Sequence, residues 1–158
     1  MDFFGLHHPR PACQWVTCHG GNVPPNAVPG GKDSDQTIFV GRAVHGSDIV
    51  PGKVVPSHGC CYVSYAGAEH SHKSYEVLVS DGTPMAWLPA SNGSLPSGAI
   101  QGGNTGSREA LFIGRTFHSG TLTVGKVHPS HRCLYIPYGG KEHRYTDYEA
   151  LVCKTINF

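Results

Sequence analysis

Apolar residues in this chain come in short runs, cut by Gly, Pro, Asn and Ser. IFVGRAV (38–44), CYVSYAG (61–67) and YEVLV (75–79) are examples, and LFIGRTF (111–117), CLYIPYGG (133–140) and YEALV (148–152) echo them. No apolar stripe with the 3.6-residue helical period extends beyond two turns. Runs of this length, bounded by turn residues, predict short β-strands joined by tight connections. The expected class is all-β, with four to five strands in each half.

The echo is an internal repeat. A shift of 73 positions (115 − 42) lays Arg42 on Arg115, and the register holds from 38–79 onto 111–152 with about half of the positions identical. Earlier, Trp15 meets Trp87 at a shift of 72, and Pro24-x-x-Ala27 meets Pro96-x-x-Ala99, so one residue is gained between Gly31 and Phe39. A Gly-rich connection tolerates such an insertion. Neither unit alone carries much apolar surface to bury. The expected organisation is therefore an N-terminal tail (1–13), a first repeat (14–84) and a second repeat (85–158). The two repeats should intertwine about a pseudo-twofold axis and share one core.

Charge narrows the functional classes. Twelve basic and eleven acidic side chains are interspersed and give a formal net charge of +1. No basic stripe suits a phosphate backbone, so nucleic acid is not expected as a partner. The 11 His can add positive charge below about pH 6.5. No run approaches the roughly 20 apolar residues that span a bilayer. The start, MDFFGLHHPRPACQW, lacks the charged segment and apolar core of a signal peptide. The expected location is the cytoplasm, with release by a non-classical route as the alternative. Without an export signal, Cys13, Cys18, Cys60, Cys61, Cys133 and Cys153 are expected as thiols. Cys60 and Cys133 hold equivalent positions and should be buried as small apolar residues.

Each unit reads W…G-x-V/L-P-x-x-A-V/I-x-G-G, then GR, GK, Y-x-G-x-E-H and YE-x-L. This combination closely resembles the DM-nine repeat family, and within it the two-repeat members that include mannose-binding lectins of bivalve haemolymph. The resemblance covers nearly the whole chain after Cys13. It implies an all-β fold of two intertwined repeats, homodimerisation, and mannose recognition without a metal or other cofactor. It also implies that sugar is held by the Asp following the G-G element and the Lys of P-G-K, which fall here on Asp33 and Lys53. The chemistry suits the ligand. A carboxylate accepts bonds from two vicinal hydroxyls, an ammonium donates to hydroxyl or ring oxygens, and both bonds are charge-assisted. Asp48, five residues before Lys53, is a third candidate acceptor on the same turn. Asp33 and Lys53 are expected in exposed loops, where packing gives a lysine no reason to recur.

The second repeat departs from the pattern. Lys126 is kept, but Asn104, Thr105 or Gly106 stands where Asp33 maps, and Thr121 replaces Asp48. Asn104 and Lys126 are expected to form a weaker second site, and an acid introduced at Asn104 or Thr105 should strengthen it.

The remaining repeated residues read as architecture. Arg42 and Arg115 share a strand face with Val40 and Ile113, so they should point inward and need carboxylates. Glu76, Glu149, Glu69 and Glu142 are available, with Glu76 and Glu149 preferred. Trp15 and Trp87 should be core rather than sugar platforms. Gly41 and Gly114 should mark bulges or close backbone approach. The Glu69-His70 and Glu142-His143 pairs, with His58 and His131, suggest acid–base chemistry. Yet no nucleophile lies in a G-x-S-x-G elbow, and an enzyme is not expected. His70, His72, His128, His131 and Cys133 offer metal donors without a C-x-x-C or H-E-x-x-H spacing. The expected function is a lectin for mannose-type glycans in innate immunity, acting by pattern recognition or agglutination. The alternative is an intracellular interaction or stress-responsive adaptor.

Overall fold

The computed structural model describes residues 13–154; most of the expected tail, 1–13, lies outside the described residues. The fold is all-β, with seven strands in each repeat rather than four to five. The first repeat contributes β1 (Cys13–His19), β2 (Pro29–Asp33), β3 (Gln36–His45), β4 (Asp48–Val55), β5 (Cys60–Tyr65), β6 (Ala68–His72) and β7 (Ser74–Ser80). The second contributes β8 (Met85–Ser91), β9 (Gln101–Asn104), β10 (Ala110–His118), β11 (Thr121–His128), β12 (Cys133–Tyr138), β13 (Lys141–Tyr145) and β14 (Asp147–Cys153). The extra strands are short, polar or Gly-rich segments such as PGGKD and AEHSH. They carry little apolar signal and are held by pairing with neighbours. A single 3₁₀ turn, Pro56–His58 and Pro129–His131, bridges the GK strand and the Cys strand of each repeat. Among the described residues no helix is long and apolar enough to cross a membrane.

The strands form one sheet in the order β1-β7-β3-β2-β11-β12-β13-β6-β5-β4-β9-β10-β14-β8, and the β3–β4 and β10–β11 pairings curl it into a closed barrel. Three seams join the repeats, all antiparallel. Lys32 of β2 pairs with Leu122 of β11, Ile49 of β4 with Asn104 of β9, and Ala68 of β6 with Lys141 of β13. The first two seams are the same contact with the repeats exchanged, and the third maps onto itself. The G-G element exists for this contact. A Cβ on Gly31 would collide with the Leu122 carbonyl oxygen, and one on Gly103 with that of Ile49.

The core follows the same exchange. A central cluster joins Val28, Ile38, Val40, Val55 and Leu78 of the first repeat to Ile113, Val124 and Leu151 of the second. Two lateral clusters flank it, one around Val54, Val63 and Val77, the other around Val127, Leu134 and Ile136. Each fully buried Val, Leu or Ile stabilises the fold by roughly 1.5–3 kcal/mol. The P-x-x-A motif delivers one apolar residue per repeat to the central cluster, Val28 within it and Ile100, partly buried, against it. Ala27 N–H closes a turn onto Pro24 O (3.1 Å), and the next residue, Val28, bonds Leu78 O (2.9 Å); Ala99 and Ile100 repeat this on Pro96 and Leu151. The Tyr of YE-x-L is a loop clamp. Tyr75 Oη accepts from Gly21 N–H (2.9 Å) and donates to Asn22 O (2.8 Å).

Arg42 Nε donates to Glu76 Oε1 at 2.8 Å and Arg115 Nε to Glu149 Oε1 at 2.9 Å. The arginines do not turn into the core as expected; about a fifth of each side chain is exposed and about two-fifths of each glutamate. Each guanidinium lies 4.2 Å over an indole, Arg42 on Trp15 and Arg115 on Trp87. The indoles are half-buried at the rim of the central cluster. Each arginine also reaches the opposite repeat, at Gly102 O (3.4 Å) and Gly30 O (3.0 Å). No bulge occurs at Gly41. It is a close approach, where a Cβ would sit 2.5 Å from Val54 Cγ2.

Candidate functional site

Lys53 is not in a loop. It sits within β4, opposite Tyr62 of β5 and Val40 of β3, and is 5% exposed. The preceding Gly52 is required because a Cβ there would strike the Tyr62 carbonyl oxygen; Gly125 meets Tyr135 in the same way. The GK motif is thus a place where two strands close tightly and send a lysine side chain between aromatic rings. Lys53 Nζ lies 5.8 Å from the Tyr62 ring centroid and 5.0 Å from that of Tyr138, which comes from β12 of the other repeat. Cation–π attraction at this range is worth about 0.5–2 kcal/mol.

The ammonium faces an open cavity of about 300 Å³ lined by Asp33, Lys53, Val55, His58, Tyr62, Glu69, Tyr138 and Gly139. Asp33 is the last residue of β2, half-buried rather than loop-exposed. Lys53 makes no hydrogen bond or ion pair among the described residues. Burial pushes its ammonium below the usual lysine range, while Glu69, Asp33 and Cys60 pull the other way. Glu69 is held in place by Gly140 N–H, which donates to its Oε1 at 3.1 Å across the β6–β13 seam. Tyr62 Oη bonds His58 Nδ1 at 2.8 Å, and burial, with Cys60 and Glu69 nearby, pushes its phenol up to about 12. The cleft therefore presents a cation that is unpaired among the described residues, two acceptor carboxylates, two aromatic faces and an imidazole.

Asp48 does not join this group. It begins β4, five extended residues from Lys53 and so roughly 16 Å away along the strand. Its Oδ1 accepts from Gly106 N–H at 2.8 Å.

In the second repeat, Lys126 has the same fold position and the same burial, between Tyr135 (5.4 Å) and Tyr65 (5.7 Å). Its partners differ. Nζ donates to Ser64 O at 2.8 Å and contacts Glu142 Oε2 at 3.2 Å. Strand register places Thr105, not Asn104, opposite in role to Asp33, since Gly31 and Gly103 pair with Ile38 and Leu111. Asn104 turns its amide onto Thr105 O at 3.2 Å. The acid of this side is Glu109, at the position of Gln36. It accepts from His128 Nε2 (2.9 Å), Ser130 N–H (2.8 Å) and Ser130 Oγ (2.6 Å). Burial opposes its charge, but the bonds from Ser130 and His128 outweigh burial and hold its carboxyl below the ordinary value. His128 occupies the place of Val55 and stacks on His131 at 3.5 Å; burial, with that neighbour, lowers its basicity.

The E-H histidines brace turns: His70 Nε2 bonds Tyr65 O at 3.2 Å and His143 Nε2 bonds Tyr138 O at 3.0 Å. Cys60, Cys61 and Cys133 are buried thiols, and Cys13, Cys18 and Cys153 are half-buried thiols. Among the described residues no three His, Cys, Asp or Glu side chains converge as a metal-binding set.

Fold and cleft together define a class: an all-β protein of two interlocked repeats, with a polar cleft built across their seam. The chain belongs to the DM9 repeat family, whose pattern matches residues 32–145. It is 29% identical over 143 residues to Natterin-1 of Thalassophryne nattereri, covering 87% of this chain and 37% of that protein. It is 30% identical over 93 residues to Natterin-3 of the same organism, covering 58% and 23%. The chain thus spans about a third or less of the length of these relatives. In structure it is similar to the nematode sperm cell motility protein MFP2B, with a TM-score of 0.68 and 15% identity over 94% of this chain and 50% of that one. That likeness is one of fold.

Proposed function

We propose that the protein is a lectin, binding mannose-type glycans in the Lys53 cleft without a metal ion. Family membership supports a carbohydrate-binding role. The observation that carries the reading is the lysine: a buried ammonium with no hydrogen-bond or ion-pair partner among the described residues, between two tyrosine rings and beside the carboxylates of Asp33 and Glu69. A sugar completes this set. Vicinal hydroxyls donate to Asp33 and Glu69, the ammonium donates to a third oxygen, and a ring face packs on Tyr138. The second repeat is weak or silent because Lys126 already donates to Ser64 O and is ion-paired with Glu142. One shallow site binds weakly. A homodimer would set two sites on one particle and gain about 10²–10⁴ in avidity, as agglutination or pattern recognition in innate immunity requires. A glycan array, run with and without chelator, tests the reading. Mannose-type signals that survive chelation support it, and an array blank in both conditions overturns it.

A further inference from the structure

The two GK lysines differ in one respect that glycan binding does not use. Lys126 is tied by two partners, whereas Lys53 has no hydrogen-bond or ion-pair partner among the described residues, opens onto a cavity of about 300 Å³ and shares it with two carboxylates and a phenol. An amine held this way is a nucleophile with space in front of it and proton carriers around it. We propose that Lys53 condenses reversibly with small hydroxyaldehydes, the chemical class that includes open-chain reducing sugars, to form an imine. The inference stands on the amine and its cavity. It goes beyond glycan recognition, since an interior residue of a glycan has no free aldehyde.

The step balances without a redox partner. The neutral amine's lone pair attacks the carbonyl carbon, and the C=O π pair moves to oxygen. A proton leaves nitrogen and reaches that oxygen through the Glu69 carboxylate, giving a carbinolamine. The Glu69 carboxylate then takes up a proton from solvent and gives it to the carbinolamine hydroxyl; the C–O bond breaks, water departs, and the nitrogen lone pair closes the C=N bond, so the added proton's charge stays on the iminium. The resulting iminium keeps the cation where the tyrosine rings and the two carboxylates already favour one. A hydroxyl beside the carbonyl can donate to Asp33 or Glu69, which selects hydroxyaldehydes over plain aldehydes. Burial lowers the basicity of Lys53, which raises the neutral fraction needed for attack.

Lys73 is exposed and Lys126 is buried but paired, so the chain carries its own controls. Glycolaldehyde with cyanoborohydride at neutral pH, followed by peptide mass spectrometry, reads each lysine separately in the unaltered protein. Lys53 should be converted to the secondary amine severalfold faster than Lys73, because the cavity holds the aldehyde against the Lys53 amine beside Glu69. Lys126 should be slower than both. Glu69→Gln should slow Lys53 and leave Lys73 unchanged. Equal or slower labelling of Lys53 than of Lys73 overturns the inference. Methyl α-mannoside, which has no free aldehyde, separates the two readings of the cleft. Protection of Lys53 supports a glycan in the same cavity. Fast labelling that it does not slow leaves the amine chemistry standing and counts against the glycan reading.

Discussion

Burial, not exposure, decides what the GK lysines do. Lys53 in an open loop would have been dispensable to the fold and only modestly shaped as a donor; in β4 it is a charge enclosed by rings. Replacing an unpaired buried charge by an apolar side chain of similar length is commonly neutral or stabilising. Lys53→Met should therefore keep the melting temperature at or above wild type while mannose affinity drops about tenfold or more, the loss expected for one charge-assisted bond. Calorimetry on the folded variant checks both halves, and unchanged affinity would remove Lys53 from the site. Glu142→Ala is the opposite case. Its side chain is 10% exposed and that of Lys126 7%, so deletion strands a buried ammonium and should cost about 3–5 kcal/mol in a denaturant titration. Asp33 and Lys53 could be singled out in the sequence because the G-G and P-G-K elements carry the family resemblance, and the structure places both on one cavity. Tyr138 and Glu109 could not. Tyr138 reaches the Lys53 cleft from the other repeat, and no local spacing encodes that. Glu109 stands where the first repeat has a neutral Gln36, so comparison of the repeats gives no warning of an acid.

Between the core and the seams, each β3 and β10 strand is pinned on one edge by an Arg–Glu pair to the last strand of its repeat. The sequence paired the right residue types but predicted deep burial, because alternation along IFVGRAV places Arg42 beside Val40. The structure bends this rule by laying the guanidinium over Trp15 at the rim, where water still reaches it. The energetics change accordingly: a partly exposed pair contributes about 1 kcal/mol or less, far below a buried one. Arg42→Met and Glu76→Ala should each cost about that much, and a double-mutant cycle should give a small coupling; a coupling of several kcal/mol would show the pair to be desolvated. Strand count was underestimated for a related reason. β2, β6, β9 and β13 carry almost no apolar alternation and exist through their partners' hydrogen bonds, a long-range fact that a local pattern cannot hold.

At the scale of the molecule, the two GK lysines are unequally partnered, and an added acid should not repair the difference. Thr105→Asp supplies the missing carboxylate but leaves Lys126 tied to Ser64 and Glu142. Calorimetric titration should give one sugar per chain before and after this change, and two equivalent sites would refute the assignment. Acid should weaken the whole fold. Burial lowers the basicity of His45, His72, His118 and His128, helped in each by a neighbouring histidine. Each is therefore protonated more readily in the unfolded chain. Their contribution is complete above the unfolded value of about 6.5 and is lost as pH falls below it. Melting temperature should decline from about pH 6.5 towards pH 5, less steeply in His128→Val, which installs the residue of the first repeat. A flat profile would contradict this. The exchanged seams also set a schedule for synthesis. When the first repeat has left the ribosome, β2 and β4 still lack the neighbours that β11 and β9 provide. At translation rates of roughly 5–20 residues per second, the delay before residue 128 follows residue 55 is on the order of 4–15 s. Through that interval a nascent chain shows two open strand edges, and another nascent copy on the same message carries the complementary ones. A cell that crowds these ribosomes together should make strand-swapped pairs of this protein, and sparse translation should make barrels that each close within one chain.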